Sequence, residues 1–385
     1  MRKGYIILLL ILGGVFMNVY SQEFLWKASV HSFFDNSEFG YSKVQMPQTM
    51  AGVHLTPEVG LSWNEKHRAF VGFDAMHEFG SDKVVDFFDP IAYYEFAGNP
   101  FRFYMGAFPR KLVQLDRYPR MFFQDSINNY RPIINGIFWE YYSGENHVNA
   151  WLDWVSRQTH TRHEAFFMGW SGRYNLNLFY GQHFGYMFHF AGVIDPEIDE
   201  GLHDNGLILT SLGVDFSSKT NFEKLEINAG WSVGLDRDRS LGGRHCPGWS
   251  ALDCNNFGQD QSLGGWHTPQ GFLSEIKVEY KGLGLFNTYY RGQSQQIFRN
   301  DHGSELYWGD PIYRSKEYNR ADFYILFFKS NVVNLKMIWS LHFTEQQIYH
   351  QQAFYATFDL SNLKKKEEKK YQYIWDNWFK SNSKD

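Results

Sequence analysis

The chain has 385 residues and a formal charge of −5, about −7 once Arg2 and Lys3 leave with the leader described below, which excludes nucleic acid as a partner for an exported protein. Aromatic residues reach 19% (36 Phe, 24 Tyr, 13 Trp) although mean hydropathy is only −0.45. A soluble enzyme rarely carries that aromatic load. A helical membrane protein is excluded too, because no run beyond the leader approaches the roughly 18 apolar residues a membrane helix needs; DFYILFF at 322–328 is among the longest.

The first element is a leader. Arg2 and Lys3 precede an apolar stretch from Ile6 to Phe16, and Val19 and Ser21 suit the small-residue positions before a cut, so residues 1–21 read as a cleavable signal peptide. No Cys follows the cut, which argues against a lipoprotein. Residues 22–360 then show a repeating pattern. FLWKASVHSFF (24–34) reads as a strand, followed by a long loop to about 49. In AGVHLTPEVGLSW (51–63) the odd positions Ala51, Val53, Leu55, Pro57, Val59, Leu61 and Trp63 are apolar, while His54, Thr56, Glu58 and Ser62 are polar. Alternation of period two describes a strand with one apolar and one polar face. Pro57 cannot donate to a sheet ladder, so a bulge is expected there.

The pattern recurs. FRFYMGAF (101–108) sets Phe101, Phe103, Met105 and Ala107 against Arg102, Tyr104 and Gly106. LEINAGWSVGL (225–235), VVNLKMIWSLHF (332–343) and AFYATFDL (353–360) alternate likewise. Strands near 91–97, 137–142 and 163–170 alternate less cleanly, with bulky aromatics on the expected inward face. Short turns are expected at 64–66, 98–100, 143–146, 171–174, 217–221, 281–282 and 330–332. Longer loops are expected from about 80 and near 109–135, 157–163, 182–204, 236–269, 291–319 and 344–349. The count is about sixteen strands. The expected fold is all-β: a transmembrane antiparallel up-and-down β-barrel with short periplasmic turns, long extracellular loops, an apolar lipid-facing set and a polar lumenal set. Trp63 and Trp339 are expected in aromatic girdles near strand ends. A soluble β-sandwich with the apolar face in a core is the competing architecture.

Cys246 and Cys254, in CPGWSALDC, suit a disulfide in an oxidising compartment. Closing so short a loop would contribute about 2.5 kcal/mol in the chain-entropy model; two unpaired thiols are the alternative. Residues 361–385 form a charged and aromatic tail, expected in the periplasm. Tyr371, Ile374, Trp375, Trp378 and Phe379 fall on one face at helical spacing, as for a helix docked on the barrel mouth or the inner leaflet, a frayed tail being the alternative.

MGAFPR (105–110), SELYWGDPIYRS (304–315) and the leader ending YSQ give the chain its resemblance to sixteen-stranded outer-membrane porins in the divergent form common in Bacteroidota. The resemblance covers the mature chain and lies in architecture more than in a diagnostic motif. It implies that the third long loop, near 109–135, folds into the lumen and constricts it, and that a homo-oligomer such as a trimer is one assembly to expect. Such barrels typically end on a terminal aromatic; here the last strand ends near Leu360 and a tail follows.

The third loop carries Arg110, Lys111, Asp116, Arg117, Arg120, Asp125 and Arg131. Facing strands add His54, Glu58, Arg68, Arg102, Asp153 and Lys336. Opposed charges across a constriction favour polar solutes; ordinary loop ion pairs would look the same. Tyr104, Tyr142, Trp151, Phe166 and Trp170, read as inward, suit stacking on sugar rings, or packing that fills the lumen. Catalytic signals are weak. His160, His163 and Glu164 do not make a zinc helix, and Asp153, Ser156 and His160 are hydrolase candidates that no pattern picks out. The sequence thus predicts an outer-membrane channel for small hydrophilic solutes that is not an enzyme and needs no metal or cofactor, with membrane lipid and solutes as its partners. A non-conducting barrel in surface or capsule assembly, and a barrel hydrolase, are the rivals.

Overall fold

A computed structural model describes residues 22–113, 118–123, 125–194, 202–239, 266–295, 311–363 and 371–376. The leader (1–21), Cys246 and Cys254 lie outside the described residues. Sixteen strands run β1 (Glu23–Glu38), β2 (Gln48–Trp63), β3 (His67–Glu78), β4 (Phe87–Ala97), β5 (Phe101–Pro109), β6 (Ile133–Ser143), β7 (Asn146–Ser156) and β8 (Ala165–Leu176). They continue with β9 (Phe179–Phe190), β10 (Leu202–Asp215), β11 (Lys224–Arg239), β12 (Gln270–Tyr280), β13 (Leu283–Gly292), β14 (Glu317–Lys329), β15 (Val333–Thr344) and β16 (Gln347–Asp359). Each pairs antiparallel with its sequence neighbours, and β1 pairs with both β2 and β16, closing the barrel.

Burial inverts the rule for soluble proteins. On β2 the polar positions are the covered ones, His54 at 3% and Glu58 at 5% exposure, whereas Leu55 and Val59 are 47% and 48% exposed. The same outward apolar set recurs on other strands, among them Ile227 and Trp231 on β11, Phe323 on β14 and Met337 on β15. A sandwich would bury those side chains. A barrel in hydrocarbon exposes them, because closure pairs the backbone and the lipid solvates the apolar face. This is a closed antiparallel barrel with the outward apolar face of a membrane-spanning one.

The connections at one end are short, as at 64–66, where Asn64 and Glu65 take φ of 52° and 60°. Four expectations need correction. Residues 171–174 lie inside β8, and the turn falls at 177–178, where Asn177 has φ 55°. The loop expected over 182–204 is shorter: residues 182–190 belong to β9, which runs to Phe190, and 202–204 to β10. The loop expected at 344–349 is a two-residue turn at Glu345 and Gln346. Pro57 produces no bulge: β2–β3 pairing skips Thr56 and Pro57 but resumes in the same register, Leu55↔Ala75 and Glu58↔Gly72. Gly72 makes this cheap, since a Cβ there would meet the Pro57 carbonyl at 2.2 Å. Trp63 does close β2, but Trp339 sits in the middle of β15.

The third long connection, 110–132, enters the barrel. Its described residues include a 3-10 turn (Arg110–Leu112) and a helix, α1 (Asp125–Tyr130). Its Val113, Met121, Phe122 and Ile127 join a core with inward Phe138 of β6, Trp151 of β7, Phe167 of β8 and Phe184 and Tyr186 of β9. The apolar core therefore lies inside the barrel, with members from β3 (Phe70) round to β14 (Tyr318). At the short-turn end, residues 371–376 dock on two turns. Tyr371 donates to Glu279 (3.0 Å) and accepts from the Gly282 amide (3.1 Å), and Tyr373 accepts from the Lys329 amide (2.5 Å). Residues 371–373 are irregular, 374–375 form a turn and Asp376 is helical; the rest of the expected helix, with Trp378 and Phe379, lies outside the described residues.

Candidate active site in the barrel lumen

The inward face of β2 meets that of β3 across a three-residue turn. There His54 Nδ1 donates to Asp74 Oδ1 at 2.6 Å, and Thr56 Oγ1 donates to Asp74 Oδ2, also at 2.6 Å. Both Asp74 and His54 are buried. A carboxylate that takes the Nδ1 proton fixes the tautomer and leaves Nε2 with a lone pair. His54 Nε2 is buried and has no hydrogen-bond partner. Beside it on β1 stands His31, its ring centroid 6.2 Å from that of His54 and its Nδ1 2.9 Å from Thr357 Oγ1.

Helix α1 is seated over this pair. The Tyr130 ring is 6.1 Å from Phe33, which is 5.8 Å from His54, and Tyr130 donates to Glu78 at 2.9 Å. The preceding residue, Asn129, is 1% exposed, and its Nδ2 is buried without a partner. Buried polar groups are nearly always paired, so two orphans in one neighbourhood need an explanation. A basic nitrogen oriented by a carboxylate is the equipment for general-base hydrolysis, and a side-chain amide such as that of Asn129 is the kind of donor that meets a developing oxyanion.

Below the dyad, toward the short turns, lies a cavity of about 1010 Å³ lined by Lys27, Ser29, Thr56, Glu58, Arg68 and Lys111 among others. Thr56 thus links the cavity to the dyad. Lys111 donates to Ser29 at 2.8 Å; Lys27 donates to Tyr93 at 2.8 Å, and Tyr93 to Glu58 at 2.9 Å.

The model of the Lipid A 3'-O-deacylase-type family matches residues 17–366. The chain belongs to that family. This corrects the expectation of a non-enzyme, since the family is one of enzymes. No curated protein matches the chain. Solved structures similar to it include a loop L8 deletion mutant of the outer-membrane protein OmpT of Vibrio cholerae. That likeness has 8% identity and TM-score 0.49, and covers 88% of this chain and 100% of that one. An anion-selective porin from Comamonas acidovorans gives 9%, 0.49, 88% and 100%. OccK8 (OprE) of Pseudomonas aeruginosa gives 10%, 0.48, 88% and 98%.

Within the deacylase-type chain, most charged residues expected in the lumen do face inward, in pairs. Arg110 meets Asp153 at 2.5 Å with both groups buried, Arg120 meets Asp322 at 3.0 Å, Arg68 meets Glu95 at 3.3 Å and Arg102 meets Glu140 at 3.4 Å. Lys336 lies over the Tyr324 ring at 4.6 Å. Arg131 contributes its carbonyl, which accepts from Arg110 Nε at 2.8 Å. Asp116, Arg117 and the Asp125 side chain lie outside the described residues.

The expected stacking residues divide. Tyr104 and Trp151 point inward but are buried, Trp151 between Tyr118, Phe123 and Phe167. Tyr142 donates to the Gly98 carbonyl at 2.8 Å. Phe166 and Trp170 are not lumenal, because the odd positions of β8 (Ala165, Phe167, Gly169, Ser171) are the buried ones. A one-residue error of phase moves every side chain to the other face. Asp153 and Ser156 form no catalytic unit: Asp153 is held by Arg110, and Ser156 donates to the His163 carbonyl at 2.6 Å. Asp74 and Asn129 were missed. Hairpin arithmetic could have found Asp74, since a turn at 64–66 sets Thr56 opposite residue 74.

Proposed function

We infer that this chain is an outer-membrane hydrolase of acyl esters on membrane lipids, acting at His54 and Asp74 in the lumen. The observation that carries the reading is a buried Asp–His pair whose outer nitrogen has no partner, in a chain of a deacylase-type family. His54 Nε2 takes a proton from water as the water oxygen bonds to the ester carbonyl carbon. The Asn129 amide donates to the carbonyl oxygen as it becomes an oxyanion. Asp74 stabilises the imidazolium, which then returns the proton to the departing alkoxide as the ester C–O bond breaks. Ester and water give free fatty acid and a lipid hydroxyl.

The test is fatty-acid release from detergent-solubilised lipid A and from phospholipid, read by mass spectrometry. Wild type releases fatty acid. His54→Gln, folded by its heat-dependent mobility in gels, is slowed at least ~100-fold, the low end for a lost general base. Undiminished release by His54→Gln refutes the site.

A second reading, passage of small hydrophilic solutes past a constricting third loop, is favoured by inward charges: Arg68 and Glu58 line the cavity, and Arg102 is paired on the inner wall with Glu140. Stepwise conductance in a planar bilayer supports it; a silent barrel refutes it.

A further inference from the structure

We propose that the cavity at the short-turn end binds the phosphate-bearing head of a glycerophospholipid, which enters sideways through a gap between β1 and β16. The use of the site rests on the hydrolase reading; binding does not.

The gap follows from unequal strand lengths. β1 pairs with β2 from Glu23↔Ser62 onward, but with β16 only from Ser29↔Asp359. There β16 ends, and the chain turns into a 3-10 segment, Leu360–Asn362, capped by Asp359. Among the described residues, Glu23–Ala28 have no strand on the β16 side. In an antiparallel ladder alternate residues direct their N–H and C=O to opposite sides, so about three of these six present unpaired backbone groups to the gap. Such an edge cannot lie in hydrocarbon and belongs at head-group depth.

The gap and the cavity are one feature. The cavity is lined by Glu23–Ser29 on one side and by Asp359, Ser361 and Asn362 on the other. On the outer side of the same strand stretch, Phe24 and Trp26 are 64% and 48% exposed. An apolar, aromatic lip outside a polar chamber suits a molecule with a chain and a polar head.

The chamber also selects the head. Lys27 and Lys111 both line it, and their hydrogen-bond partners are neutral hydroxyls, those of Tyr93 and Ser29. Arg68, by contrast, already has Glu95. The lining also carries the carboxylates Glu23, Glu58, Glu65 and Asp359; Glu58 is engaged by Tyr93 and Asp359 by the Ser361 amide, and the two ammonium groups, whose hydrogen bonds go to neutral hydroxyls, are the groups that fit a phosphate. The opening lies at the short-turn end, which in outer-membrane barrels is periplasmic. The leaflet on that side supplies the lipid class bound in the chamber: a diacyl glycerophospholipid.

The experiment uses the full-length protein in nanodiscs containing equal amounts of phosphatidylglycerol and lipid A, followed by extraction into mild detergent and native mass spectrometry. The proposal predicts retained phosphatidylglycerol. Lys27→Met/Lys111→Met retains less than a tenth as much, Lys27→Arg/Lys111→Arg restores retention, and Lys219→Met, a cation on an exposed turn at the same end, leaves it unchanged. Preferential retention of lipid A, retention unaffected by the double Met variant, or displacement by 10 mM inorganic phosphate alone overturns it. If wild type retains phosphatidylglycerol but releases no fatty acid, the hydrolase reading fails and the site stands. If fatty acid is released with no lipid retained, the reverse holds.

Discussion

His54 and Asp74 differ from Arg110 and Asp153 in what is left over: His54 Nε2 has no partner. Arg110 and Asp153 satisfy each other and the backbone around them, Asp153 also accepting from the Asn135 amide at 3.0 Å. That pair is structural, and Asp153→Asn is expected to destabilise the barrel by ~3–5 kcal/mol, because it strands a buried guanidinium; the urea midpoint of unfolding from detergent checks this. Asp74→Asn keeps the shape but offers an amide to the imidazole, so its expected effect is a fall in kcat of at least ~100-fold with little change in KM, read in the fatty-acid assay. Asn129→Ala is expected to lower kcat by ~100-fold or more by removing an oxyanion donor. At the rim, Asp86 accepts from Ser81 Oγ (2.5 Å) and from the Glu78 amide (2.7 Å), and these bonds hold its carboxyl below the usual range. A lowered folded value means the contribution is present above the unfolded value and lost as pH falls through the folded one. Amide exchange at Glu78 should therefore accelerate in acid, beyond the intrinsic pH trend, and should not do so in Asp86→Asn. Alternation alone picked out His54 and Glu58 as lumenal. Asp74 stayed hidden because its neighbours Phe73 and Ala75 do not announce a strand face, and Asn129 because nothing local says where a loop helix comes to rest.

At the scale of elements, the third connection does two jobs. Its apolar residues anchor it against the wall from β6 to β9, and that anchoring places α1 over the dyad. Phe122 is 1% exposed, and Phe122→Ala should cost ~3–5 kcal/mol by opening a cavity. If loop seating positions Asn129, that variant should lose activity at temperatures where the barrel is still closed, a separation visible by comparing activity with gel mobility. Strand phase was readable where one face is uniformly polar, as on β2, and unreadable on β8, where Phe166, Phe167 and Trp170 put aromatics on both faces. The two-residue connection at Glu345 and Gln346 escaped notice because neither residue is a glycine, although both adopt positive φ. The difference in length between β1 and β16 was equally invisible, since it depends on pairing rather than composition.

For the whole molecule, one inversion organises the rest: apolar side chains outside, polar ones and a loop-filled core inside. Strand number and antiparallel order followed from the alternation and the rhythm of turns. Enzyme class did not, because the dyad is assembled from β2 and β3 and completed by a helix some 50 residues later in the chain. The site, the cavity and the gap at β1 all require the same facing of the wall. Spin labels placed along β2 of the protein in liposomes test that facing most directly. Labels at 53, 55, 59 and 61 should be more accessible to oxygen dissolved in lipid, and labels at 56, 58 and 62 to a water-soluble nickel chelate. Loss of that two-residue alternation, or its reversal, would contradict the account.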